Sequence, residues 1–533
     1  MRLLAALAGL LFLFAGPLAA QSFEELVAKL PEGDFNARAA VVAAIGATGD
    51  ARAATVLGAL GEGNLQQRKA DDAIVIVTGK GDAAKATDAR TGADLGAVAP
   101  RSTTAIKVNN ALRRSIRSAL ATLALVDPDP AKRLAAAEQA FAAPGPDAMG
   151  ALDTALAKEA DARVKSALAE ARAAAVLASA DAAPADKVAA VDLVAAHGGT
   201  DALKALAGLA ASDQPELAAA ATRAVAKIER EQAMWGAFQN VWYGLSLGSV
   251  LLLAAVGLAI TFGVMGVINM AHGELIMLGA YTTYVIQDLI RAHAPGLFDW
   301  SLLIALPAAF LVSGAVGVAI ERFIVRYLYG RPLETLLATW GVSLILQQAV
   351  RSLFGPNNRE VGTPSWMAGA FQFGQMQVTL NRFVIILFGL AVFAALLLLL
   401  KRTLFGLQMR AVTQNRPMAS EMGIRTAWID ALTFGLGAGI AGLAGVALSQ
   451  IDNVSPNLGQ TYIIDSFLVV VFGGAGNLWG TFAAAFSLGI ANKLLEPWAG
   501  AVLGKILILV FIILFIQKRP RGLFPQRGRA VEA

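Results

Sequence analysis

Ile268-Asn269-Met270-Ala271-His272-Gly273-Glu274 sets three polar side chains into an otherwise apolar stretch. A carboxamide, an imidazole and a carboxyl group so close together offer donors and acceptors for a small polar solute, or for a gate that closes on one. A charge at the centre of a bilayer costs about 2.5–3.5 kcal/mol on insertion scales, so Glu274 must face protein or a water-filled path. Two readings stay open. Asn269, His272 and Glu274 line a solute route, or they cap and join two half-helices at a membrane edge. Gln347 and Asp465 also interrupt apolar runs and are added to the candidate route.

A second constellation is hydrophilic and runs from Gly406 to Ile424. Within it Pro417 is suited to the first turn of a short helix and Gly423 to its end, and small residues between them fit a partner's groove. Arg410, Arg416, Pro417, Met418, Ala419, Ser420, Glu421, Met422 and Gly423 are therefore candidates for receiving force from an ATPase. The alternative is a solvated loop that only orients its neighbours. The chain carries no ATPase of its own. Gly500-Ala501-Val502-Leu503-Gly504-Lys505-Ile506 is one residue short of a phosphate-binding loop and has Ile where Ser or Thr would meet magnesium. The energy source belongs to a partner chain, and this chain reads as a transport subunit with no cofactor, not an enzyme.

Composition narrows the classes further. With 56% hydrophobic and 16% charged residues over 533 positions, the chain is more apolar than a soluble core requires. The net charge of +5 is spread over segment ends and not gathered in a patch, which excludes nucleic acid as the partner. No cysteine and three histidines exclude disulfides and a usual zinc site, so no metal is expected.

These residues need elements to position them. Apolar segments are read at 236–264, 270–290, 301–320, 333–353, 382–400, 429–449, 463–476, 478–494 and 499–517, the seventh short enough to be re-entrant. Basic residues orient them: Arg322, Arg326 and Arg331, then Lys401, Arg402, Arg410, Arg416 and Arg425, then Lys518, Arg519, Arg521, Arg527 and Arg529 fall in alternate connections, assigned to the cytoplasm. Gly435, Gly439 and Gly442 share one helix face, a signature of close helix packing in lipid. The fold expected is all-α: a polytopic helical permease of about eight to ten helices, residues 233–518, with a cytoplasmic tail at 519–533.

Ahead of it, residues 1–20 read as a signal peptide, with Arg2, a short apolar run and a small-residue cleavage zone. Residues 21–232 then form an exported, periplasmic helical domain. N-cap signals at Asp129, Asp147, Asp161, Thr200 and Asp213 suggest HEAT-like hairpins, and the β-formers from Ala73 to Thr78 a small β insertion near 71–107. Such a surface suits docking of a solute-binding protein, or serves as a spacer.

At these motifs the sequence resembles the branched-chain amino acid type of ABC transporter permease, over roughly Trp242 to Phe524. The likeness is carried by GLSLGSV (Gly244 to Val250), FGVMGVINMAHGELIMLGAY (Phe262 to Tyr281), Glu321-Arg322, GLQMRAVTQNRPMASEMGI (Gly406 to Ile424), GAGIAGLAGV (Gly437 to Val446) and KRPRGLFP (Lys518 to Pro525). Within that family it is similar to urea permeases through GTPSWM (Gly362 to Met367), IDNVSPNLGQTYIIDSF (Ile451 to Phe467), FGGAGNLWGT (Phe472 to Thr481) and the long front domain. The resemblance implies a heteromeric inner-membrane importer: a second homologous permease subunit, two cytoplasmic ATPase subunits, a periplasmic solute-binding protein, and urea as solute. It also implies that Arg416 to Gly423 is the ATPase coupling segment. Branched-chain amino acids or short amides are the alternative cargo, and a membrane-anchored scaffold or an ATP-independent channel are readings from other classes.

Overall fold

The computed structural model describes residues 22–79, 84–97, 102–145 and 148–524. The signal-peptide reading, the Asp147 cap and the tail beyond residue 524 lie outside them. The chain divides into two units at Gln232/Ala233, and helix Pro215–Met265 contributes residues to both.

The first unit opens with helices Phe23–Ala28, Phe35–Ala47 and Ala53–Glu62. Asp34 starts the second of these by accepting from the amides of Asn36 and Ala37. A five-stranded antiparallel sheet follows, made of Leu65–Arg68, Ile74–Thr78, Lys85–Asp88, Asp94–Ala97 and Thr103–Ala105, in the spatial order fourth, third, second, first, fifth. The sheet begins earlier than the expected 71–107 insertion. Its first strand reads Leu-Gln-Gln-Arg, too polar to show β patterning, yet Leu65 is fully buried and Gln66 pairs with both Val75 and Ala105. Helix Asn110–Ala124 then packs on Phe35–Ala47, and Ile45, Leu57, Leu60, Leu112 and Ile116 fill the core between them.

From Pro130 on, the unit is helical: Pro130–Ala142, Met149–Lys158, Ala162–Ala178, Pro184–His197 and Gly199–Ala207, around Leu152, Leu168, Val191 and Leu206. Asp129 and Asp161 cap their helices. Thr200 does not, because Gly198 and Gly199 make the turn in left-handed conformations (φ 68° and 76°) and the helix has begun at Gly199. Inside this layer the Arg133 guanidinium grips the almost wholly buried Glu159 carboxylate at 2.7 and 2.9 Å, and Glu159 also accepts from the amides of Ala160 and Asp161. The Arg133 bond above all, and the Asp161 amide next, hold the Glu159 carboxyl down to about 2. A carboxyl lowered on folding contributes stability above its unfolded value of about 4.3, and that contribution disappears as pH falls through the folded value. Hydrogen exchange on the full chain is therefore expected to show protection of residues 127–161 declining between pH of about 4 and about 2. Glu159→Gln should lose that part of the protection already at pH 7; an unchanged acid profile would contradict the assignment.

In the second unit, helices His272–His293, Ser301–Phe323, Pro332–Phe354, Leu380–Arg402, Thr426–Leu448, Leu458–Gly473 and Leu478–Lys518 follow the end of Pro215–Met265. Among the described residues five helices are long and apolar enough to cross a membrane, and His272–His293 and Pro332–Phe354 match them in length with more polar sequences. Leu478–Lys518 has non-helical backbone at Gly500 (φ 75°), which separates the two apolar stretches read at 478–494 and 499–517. After that break the chain returns, since Phe511 and Phe515 pack on Phe472 and the amide of Phe524 bonds the Gly473 carbonyl. Leu387, Leu398, Leu503 and Phe511 are exposed, as side chains facing lipid are.

Thr426–Leu448 is the central helix, buried on most of its surface. Its glycines explain how neighbours come so close. Gly435, Gly439 and Gly442 all turn to helix Ser301–Phe323, where a Cβ would meet Val318 at 2.6 Å, the Phe310 ring at 2.6 Å and the Ala309 carbonyl at 2.6 Å. Gly445 turns the other way, onto the backbone of Ile276, Gly279 and Ala280. With lipid on the outside there is no hydrophobic drive between helices, so backbone contact of this kind supplies the dispersion energy.

Candidate functional site

Helix Pro215–Met265 ends at Met265, and Gly266, at φ 67°, turns the chain back. Residues 266–271 are non-helical, and helix His272–His293 starts beside Gly257 and Gly437, the middle of the central helix. A helix is thus broken inside the bundle, an arrangement tolerated where protein surrounds the freed backbone. The side chains of this break make the repairs. Asn269 Oδ1 accepts from the Ala271 amide at 3.0 Å, His272 Nε2 lies 2.8 Å from the Ala254 carbonyl, and the Met270 amide donates to Thr339 Oγ1 at 3.1 Å.

Glu274, in the first turn of this helix, is 1% exposed and accepts from Ser343 Oγ at 3.0 Å. Its second oxygen and Asn269 Nδ2 have no hydrogen-bond partner among the described residues. Helix Leu458–Gly473 starts at the same place: Gly273 and Gly459 touch backbone to backbone, and a Cβ on Gly459 would lie 2.8 Å from Glu274 Oε2. Two helix starts and the middle of Pro332–Phe354 therefore converge on one buried carboxyl group.

Gln347 lies one turn beyond Ser343. It donates to Asn457 Oδ1 at 3.0 Å, and Arg351 reaches the same oxygen at 2.9 Å. The Met270 amide on Thr339, Glu274 on Ser343 and Gln347 thus succeed one another along helix Pro332–Phe354, while Asn269 and His272 bond to Ala271 and Ala254. Asp465 is elsewhere. It is paired with Lys505 at 3.1 Å and ties Leu458–Gly473 to the last apolar stretch.

Gln287 was not legible as a functional position in the sequence, and it is the best-satisfied amide of this region. Buried at 1% exposure, it donates to the Gly362 carbonyl and accepts from the Gly362 amide, both at 2.9 Å, with Ser301 Oγ at 3.2 Å. A single side chain so pins the connection after Phe354. Arg359 fastens the same connection to Val454 through paired backbone bonds of 2.7 and 3.1 Å.

The hydrophilic constellation folds as helix Leu404–Gln414, with the Arg410 guanidinium on the Leu400 carbonyl, followed by the short helix Arg416–Glu421. Asn415 caps the short helix, Pro417 occupies its first turn, and Gly423 ends it at φ 84°. Ala419 is buried, while Arg416, Pro417, Met418, Ser420, Glu421, Met422 and Gly423 are exposed. A small helix with one residue pinned beneath it and thioethers and charges outward has the form of a peg for a groove.

A bundle of membrane-length helices, a helix broken at a buried polar cluster and an exposed peg on a basic connection define a multi-pass membrane permease. Residues 240–516 match the family described as branched-chain amino acid transport system / permease component, and the chain belongs to that family. It is 30% identical to the high-affinity branched-chain amino acid transport system permease protein BraD of Pseudomonas aeruginosa and to the corresponding protein LivH of Escherichia coli, covering 54% of this chain and 94% of each relative. It is 26% identical to the high-affinity branched-chain amino acid transport system permease protein LivM of Escherichia coli, over 52% of this chain and 69% of that one. No solved structure matches the chain. The front unit falls outside the family match.

Proposed function

We propose that this chain is one permease subunit of an ATP-driven importer, paired with a second, homologous permease, energised by two separate ATPases, one of which docks on Arg416 to Gly423, and supplied by a solute-binding protein. Branched-chain amino acids are the cargo class that its similarity to BraD and LivH supports. The carrying observation is the exposed helix Arg416–Glu421, held between two membrane helices on a connection rich in arginine. In this reading residues 21–232 are an exported domain. The reading is tested with the assembled complex in vesicles, following labelled leucine with urea and short amides as competitors. ATP-dependent uptake of leucine is expected, and uptake that only urea competes away would replace the cargo.

Urea is the second reading, and one observation favours it. Each of the segments that carry the likeness to urea permeases, 362–367 and 451–467, is held by an amide side chain: Gln287 on Gly362, and Gln347 on Asn457. Neutral urea needs only such donors and acceptors, without the paired charges a zwitterion requires.

The polar cluster at the helix break acts in this account as the gate. Glu274→Gln keeps an acceptor for Ser343 and a similar volume, so folded yield is expected to stay within about twofold while uptake falls at least about tenfold, a transport barrier raised by about 1.4 kcal/mol. Parallel loss of yield and uptake would assign the cluster to folding alone.

A further inference from the structure

The connection that carries the peg is wired to buried charge. Arg416, its first helical residue, is 43% exposed, yet its guanidinium forms an ion pair with Asp430, whose side chain is 1% exposed on the central helix. The same guanidinium lies 4.9 Å from the centroid of the Tyr329 ring. Tyr329 donates its hydroxyl to Glu321 Oε1 at 2.8 Å, and Glu321, also 1% exposed, ends helix Ser301–Phe323. Arg322 comes within 3.9 Å of Glu321 Oε2 and lies over the ring of Trp428, on the central helix, at 4.4 Å.

Six residues, on three helices and the connection that holds Tyr329, thus form one chain of contacts. Its buried members are not fully satisfied: Asp430 Oδ1, Glu321 Oε2 and Arg322 Nη2 have no hydrogen-bond partner among the described residues. A buried carboxylate that loses its cation is strongly destabilised, so the peg cannot move away from Asp430 without the central helix following it. Nor can the central helix move alone, because the backbones of Gly435 and Gly442 lie against Ser301–Phe323, whose end holds Glu321.

The geometry points to Arg416, Asp430, Tyr329 and Glu321 as a coupling joint that passes displacement of the peg to the paired helices Ser301–Phe323 and Thr426–Leu448. These are positioning residues, and the inference rests on the importer reading for its biological use. A stepwise pull on Met418 and Met422, both exposed, is delivered through Arg416 to the helix whose Gly437 lies against Gly257, the residue beside the His272 ring. Motion at the cytoplasmic connection then reaches the helix break with no flexible segment between.

The test has two arms. The chain has no cysteine, so spin labels at Met418→Cys and Leu432→Cys report the distance from the peg to the central helix in the full chain in nanodiscs. A narrow distribution is expected, at least about twofold broader with Asp430→Asn and broadened less by Tyr329→Phe, which keeps the ring over Arg416. In the assembled complex, Asp430→Asn is expected to retain the ATPases and basal hydrolysis within about twofold while solute moved per ATP falls at least about tenfold, and Glu321→Gln to act in the same direction. A distribution as narrow as the parent's, or uptake and hydrolysis falling in equal proportion, overturns the joint. If the unmutated complex moves no solute on ATP although Asp430→Asn still broadens the distribution, the importer reading falls and the mechanical link stands.

Discussion

Gly445→Val is expected to be the most damaging single substitution in the membrane unit. A Cβ at this position would lie against the Ile276 carbonyl oxygen, 2.7 Å from the Ala280 amide nitrogen and 3.1 Å from the Gly279 carbonyl carbon. All three are backbone atoms in the middle of a helix and have no rotamer through which to retreat. Two helices have to separate, and one of them is the helix that carries Glu274. Overpacking of a well-filled core costs about 1–3 kcal/mol where side chains can adjust, so a cost above about 3 kcal/mol is expected here. The measurement is the folded, monodisperse fraction and thermal midpoint of the detergent-purified chain. Gly504→Ala is the control, because its Cβ would meet Leu495 at an ordinary 3.7 Å, and it should behave as the parent. Equal stability of both variants would show that the helices do not cross as described.

Gln287→Leu is expected to come next. Leucine fills the space and leaves the Gly362 amide and carbonyl, and the Ser301 hydroxyl, without their partner. Each polar group left unsatisfied costs about 1–3 kcal/mol, the part-buried Gly362 pair at the low end, so a loss of about 3–5 kcal/mol is expected if the connection stays in place, and less if it detaches and finds water. Detachment has its own signature, in rapid hydrogen exchange from residue 355 to 369 with the helices still protected. Gln287→Glu retains the acceptor for the Gly362 amide and should fall between leucine and the parent. Unchanged exchange in the leucine variant would mean that Arg359 and Val454 alone hold the connection.

Comparison of the sequence with the structure separates local from long-range information. Apolar runs specify helices because a chain in lipid has to satisfy its amides within the segment, and the runs around 429–449 and 382–400 correspond to Thr426–Leu448 and Leu380–Arg402 within a few residues. The spacing of Gly435, Gly439 and Gly442 shows one face of a helix, and the structure adds what that face meets. Pro417 and Gly423 bound a short helix by their backbone preferences alone.

Pairings were not legible in the same way. Asp465 belongs with Lys505 and Arg416 with Asp430, at separations of 40 and 14 residues, and only the approach of helices brings them together. Nothing local marks Gln287 as the anchor of Gly362, 75 residues away. Leu65–Arg68 escaped for another reason: a strand with partners on both sides gains its stability from the ladder and needs little β propensity of its own.

The central claim is that solute movement through this chain is driven by ATP hydrolysed on other subunits. It is tested most directly by uptake of labelled leucine and labelled urea into proteoliposomes holding the two permeases and both ATPases, with loaded binding protein outside and nucleotide inside. The account predicts accumulation of one of them with ATP and none with a non-hydrolysable analogue. Flux that persists without ATP, or without the ATPase subunits, would contradict it.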